Sequence, residues 1–177
     1  MEQKVSVWKA NFTNGIILGL IGIVWTLILY FFDMTLNRMM GIAGMVIQIV
    51  VLYYLIRSYR DNFLGGYITY GQSVGAGVVM FVYYSIIAAV FAYILYKFID
   101  PGLIDKQLAM VEETMVKRGA PQAAIDAGMA FQRKIMVPEI TAPLSILGSI
   151  LSGTIMSLIA SIFTRKEGNP LVDIPEN

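Results

Sequence analysis

The sequence predicts an all-α integral membrane protein: four transmembrane helices and an extramembrane helical hairpin between the third and fourth. Three observations predict it. Hydrophobic residues make up 57% of the 177 positions and charged residues only 14%, against about 25% charged in an average soluble domain. Mean hydropathy is +0.68. Uncharged runs cover residues 10–32, 39–56, 64–96 and 140–164. At about 1.5 Å rise per residue, about 20 residues cross a hydrocarbon core of about 30 Å. Backbone groups in hydrocarbon must satisfy each other, so these runs are expected as helices. They show none of the alternation a membrane β-barrel needs, and too little polar sequence remains to coat them as buried helices of a soluble protein.

The first span is expected at 10–32. Its apolar run is longer than a signal-peptide core, and no small-x-small cleavage site follows Phe32, so it is expected to stay in the mature chain. Trp8 and Phe12 precede it as interfacial rings. Trp25 is expected to pack deep in the span, and Gly15 and Gly19 form a small-xxx-small pair. A tight connection at 33–38 makes spans one and two an antiparallel hairpin. Span two is expected at 39–56, closed by Tyr53, Tyr54 and Tyr59, with Gln48 as its most polar side chain near mid-depth. Interhelix hydrogen bonding is the first reading of Gln48; lining a path is the second.

Residues 57–73 read as the second connection. Arg57, Arg60 and Asp61 end span two, where cations offset the negative end of the helix dipole. Gly65 and Gly66 allow a sharp turn. Interfacial anchoring explains this segment; the sharper alternative is contact of Arg57 and Arg60 with an anionic lipid headgroup or phosphate. Span three is expected at 74–96, closed by Tyr96 and Phe98, with further small residues at Gly71, Gly75 and Gly77.

A helical hairpin is expected at about 101–136. Asp100 suits an N-cap with Pro101 at the first helical position. Ile104, Leu108, Val111 and Met115 form an apolar stripe, and Glu113 pairs with Lys117 four residues on. Gly119 stops the first helix and Pro121 starts the second, whose weaker apolar side is Ile125, Met129 and Phe131. The hairpin is either a solvated connector or a surface docked on the membrane or a partner. Pro138 breaks it, and Pro143 fits the first turn of span four, expected at 140–164. The tail at 167–177 is polar and proline-punctuated, and is expected to be disordered or tied down by a neighbour.

Span four carries the most regular pattern. Thr141, Ser145, Ser149, Gly153, Ser157 and Ser161 recur every four residues as one small, weakly polar ridge. Small residues let a second helix approach closely, and hydroxyls can bond across the contact. Helix packing is the first reading of the ridge; a polar track for substrate or water is the second.

Much chemistry is excluded. The chain contains neither cysteine nor histidine, so disulfides, thiolate or imidazole metal sites and histidine-dependent triads are ruled out. Catalytic residues, cofactors and metals are not expected. A net charge of +1 leaves no basic field for nucleic acid. The apolar span cores contain no Asp, Glu, Lys or Arg, which argues against proton-coupled transport. Four spans place both termini on one side. Lys4, Lys9, Arg57, Arg60, Arg165 and Lys166 cluster at span ends there, so that side is expected to be cytoplasmic.

The run Ser58-Tyr59-Arg60-Asp61, followed by Gly65-Gly66 and the step Tyr70-Gly71, resembles the signature of the domain of unknown function 4199 family. The likeness covers about residues 10–166, with four spans, a long charged helical loop, the Gly-Ala-Pro turn at 119–121 and a basic end after span four. Tyr70 stands where that family often has phenylalanine. The resemblance implies a small multi-pass protein of the bacterial inner membrane with no established activity, and supplies no catalytic residues. The functional expectation is a non-enzymatic interaction or accessory subunit, binding membrane lipids and either copies of itself or a larger membrane complex. The alternative is a small transporter or channel using the span-four ridge.

Overall fold

The computed structural model describes residues 5–167 and is all-helical, with six α-helices. Four are long and apolar enough to cross a membrane: α1 (Val7–Phe31), α2 (Arg38–Phe63), α3 (Tyr70–Ile94, continued to Ile99 by a π-helical turn) and α6 (Pro138–Thr164). The protein is thus a multi-pass membrane protein. Between α3 and α6 stand α4 (Gly102–Lys117) and α5 (Gln122–Ile135). Consecutive spans alternate in direction. One end of the bundle, the terminal end, carries the start of α1, the α2–α3 connection and the end of α6. The opposite end carries α4 and α5.

Helix α3 packs most extensively, against α6 on one side and α1 on the other, while α2 closes the ring between α1 and α6. Glycines set these close approaches. A Cβ on Gly15 would lie 2.5 Å from Tyr83 Cβ, and one on Gly19 3.0 Å from Ile87. Trp25 packs its indole against Gly44 of α2, where a Cβ would lie 2.5 Å from Nε1. Trp8 and Phe12 pack edge-on against Tyr83. Among Gly71, Gly75 and Gly77, only Gly77 meets a neighbour; the other two face open space.

The main apolar core lies toward the terminal end, around Leu18, Leu52, Ile56, Met80, Phe81 and Met156. A second, smaller core joins α4 to α5 as a helical hairpin. Leu108, Ile125 and Met129 are buried there, with Ile104, Val111 and Met115 packed against them. The expected stripe of α4 is thus used in full. Phe131 departs from expectation: it is 62% exposed, because two residues beyond Met129 a helix has turned to its opposite face. Glu113 pairs with Lys117 at 2.6 Å, and that ammonium holds its carboxyl below the usual range.

Three local expectations are corrected. Pro138 opens α6 at its first helical position, so Pro143 lies inside that helix and not in its first turn. Asp100 does not cap α4; the helix begins at Gly102, Pro101 takes the capping position, and the main-chain carbonyl of Asp100 accepts from Leu103 N at 3.2 Å. The second connection is also shorter than 57–73. Helix α2 runs through its charged end to Phe63, and Thr69 caps α3 with a reciprocal bond to Gln72, leaving only 64–69 between them. Charge marks where hydrocarbon ends, and a helix is free to continue into water. Gly65 and Gly66 make the turn at φ +64° and +87°. The tail beyond Glu167 lies outside the described residues.

Candidate functional site

The span-four ridge divides into two halves with different surroundings. Toward the terminal end it is packing surface. Gly153 is buried directly under the Phe81 ring, with no room for a Cβ. Ser157 is fully buried against Gly77, and its Oγ donates to Gly153 O at 2.7 Å. Ser161 is also fully buried, and its Oγ has no partner among the described residues. One turn on, Thr164 Oγ1 donates to Ser73 Oγ at 3.1 Å, bonding α6 to α3.

Toward the hairpin end the ridge lines a crevice. Ser145 and Ser149 face a cavity of about 180 Å³ between α1, α3 and α6, with Thr26 and Tyr84 on its other walls. Thr141 and Ser145 line an adjoining cavity of about 230 Å³, roofed by Ile104 and Gln107 of α4. Tyr96 and Ala92 border both. The crevice therefore runs from beneath the hairpin to roughly mid-depth, where the Phe81–Gly153 contact stops it.

Its polar groups are uncharged. Gln48 Nε2 donates to Tyr84 Oη at 3.0 Å, joining α2 to α3 at the inner end. Gln107 Nε2 donates to Tyr96 Oη at 3.1 Å at the outer end. Lys106 lies 3.6 Å from Asp33, tying the hairpin to the α1–α2 turn. Ser145 and Thr141 return their hydroxyl protons to carbonyls of their own helix, at 2.7 and 3.0 Å. Such bonds leave a hydroxyl its lone pairs for a ligand or water. Sequence reasoning missed Thr26, Tyr84 and Gln107, and read Tyr96 only as an interfacial ring closing span three. Their only signal was a hydrogen-bonding side chain on an apolar or amphipathic helix, and nothing in the chain said which of these would meet.

The family model for proteins of unknown function, DUF4199, matches residues 13–166. The chain belongs to the DUF4199 family. No curated protein and no solved structure matches it.

In this DUF4199 chain, Arg60, Ile68 and Tyr70 form a clasp on α6 at the terminal end. Arg60 Nη1 donates to the carbonyl of Thr164, the last residue of α6, at 3.3 Å. Its Nε and Nη2 donate to Asp61 at 2.8 and 3.3 Å. Arg57, 3.7 Å from Asp61, is the more exposed of the two arginines, at 53% against 13%. After the glycine turn, Ile68 and Lys166 exchange both main-chain bonds at 2.9 Å. Tyr70 Oη donates to Leu158 O at 3.2 Å. These contacts tie the α2–α3 connection to the fourth span near its end.

Proposed function

We propose that this DUF4199 protein is a non-enzymatic accessory component of the bacterial inner membrane, with both termini in the cytoplasm, that associates with copies of itself or with a larger membrane complex. The outward face of α6 supports this reading. Gly148 meets nothing within 4 Å, and Ser152, one turn on, is exposed. Leu144, Leu147, Leu151 and Ile155 surround them, each more than half exposed. Hydrophobicity does not drive helices together in lipid, so a small-residue notch between leucines gains through close approach. Because the chain has no cysteine, Gly148→Cys introduces a single thiol. Mild oxidation in native membrane vesicles is expected to give a disulfide-linked dimer, while Leu20→Cys on the exposed face of α1 stays monomeric. Equal cross-linking at both positions, or at neither, would reject association through α6.

The crevice favours a second reading, passage of a small neutral solute. Its inner end is closed by Phe81 against Gly153, so passage requires that contact to open. A water-filled crevice predicts that Ser149→Cys reacts with a small polar thiol reagent applied from the hairpin side. Protection of that thiol would remove the support for passage.

A further inference from the structure

At the hairpin end, on the side of the bundle facing away from the crevice, α3 and α6 part to leave an open groove of about 450 Å³. Its walls are apolar: Ala89 and Val90 from α3, and Ala142, Pro143 and Ile146 from α6. Tyr93 and Glu139 stand at its outer end. Beside them, Lys97 on the π-helical turn donates through Nζ to Glu139 Oε1, with the same ammonium over the Tyr93 ring at 5.1 Å. Both charged side chains stay open to the surroundings, at 40% and 53% exposure.

We propose that this groove holds an acyl chain of a phospholipid whose head bears a phosphate and a primary ammonium, with Lys97 meeting the phosphate and Glu139 the ammonium. The inference rests on the chain crossing the membrane and not on its self-association. Three features support it. First, polarity changes along the groove in the order a lipid needs. The charged pair and the amphipathic tyrosine lie where the spans leave hydrocarbon. From Glu139 to Ile146 the helix runs roughly 10 Å inward, past alkyl walls only. Second, the volume falls within the roughly 300–1,000 Å³ of small-ligand sites. Small side chains, Ala89 and Ala142, make the space, and Pro143 adds no bulk that reaches across it. Third, the pair matches a zwitterion. An ammonium has three donors and a carboxylate two oxygens, so each keeps bonding capacity after meeting the other. An anionic head would satisfy Lys97 but meet the Glu139 carboxylate as a like charge. A trimethylated head has no N–H to give Glu139.

The test uses the full chain reconstituted in vesicles of equal parts phosphatidylethanolamine, phosphatidylcholine and phosphatidylglycerol, followed by native mass spectrometry of retained adducts. Phosphatidylethanolamine adducts are expected in about tenfold excess, the ratio one good charge-assisted hydrogen bond gives. Ile146→Trp, which fills the groove, should remove adducts of all three lipids. Because a bulky residue there could also impair folding, the double variant Lys97→Gln/Glu139→Gln provides the independent measure. Its changes are on exposed side chains, and it should keep the adducts but lose the preference. Equal adducts of the three lipids on the native chain, or an unchanged preference in the double variant, would overturn the proposal.

Discussion

Leucine at position 153 will prevent the bundle from assembling. Gly153 lies where α6 crosses the Phe81 ring, and the space a Cβ would need is already filled by that ring and its own Cβ. Phe81 is 1% exposed, held between α6 and the core around Met80 and Ile56, so the ring has no free direction to retreat. Overpacking a tight core costs about 1–3 kcal/mol, and more where the backbone must shift. Here the backbone must shift, because the blocking atoms include the stem of the side chain and not a flexible tip. Lipid worsens the balance: the added leucine gains nothing by leaving one apolar medium for another. The expected result is loss of the monodisperse species in detergent and of a cooperative melt. Phe81→Ala alone leaves a cavity and lowers the melting temperature. Combined with Gly153→Leu it removes the ring atoms and leaves only the Cβ in the way, so the double variant should be more stable than Gly153→Leu alone but less stable than the native chain. A Gly153→Leu protein that melts like the native chain, or two changes with strictly additive costs, would show that the contact does not set the helix spacing.

The same residue shows how far the sequence can be read. Each transmembrane run was visible because hydrocarbon demands a long uncharged stretch, and the hairpin was visible because Ile104, Leu108, Val111 and Met115 keep a helical period. Helix ends were less legible. Arg57, Arg60 and Asp61 mark the exit from lipid, yet α2 continues to Phe63. The four-residue period on span four was also plain, but periodicity names a face and not its neighbour. Nothing in the one-dimensional pattern separates Gly153, pressed under Phe81, from Ser149, which borders a cavity. The crevice is formed by the side-chain volume that α1, α3 and α6 leave unfilled, and that depends on how they cross. Long-range pairs such as Gln48 with Tyr84, or Arg60 with Thr164, leave no local trace at all.

Arg60→Met is expected to loosen the end of the fourth span while leaving the rest of the bundle folded. The last carbonyls of a helix have no partner within it. Thr164 is fully buried, and its carbonyl is bonded by the Arg60 guanidinium. Methionine keeps most of the apolar stem and removes the fork. A hydrogen bond from a charged donor contributes about 1.5–3 kcal/mol, and its loss leaves a buried acceptor unpaired. The neighbouring Ile68–Lys166 pair then has less to hold it. Amide exchange at Ile68 and Lys166 should accelerate, while Leu108 and Ile125, in the hairpin core at the opposite end, keep their native rates. Arg60→Lys, which preserves the charge without the planar fork, should fall between the two. The same variants separate the two roles open to this arginine. If the charge serves the clasp, exchange quickens and retention of anionic lipid is unchanged. If lipid retention falls while exchange stays native, the guanidinium serves a headgroup, and the bond to Thr164 does not hold the span.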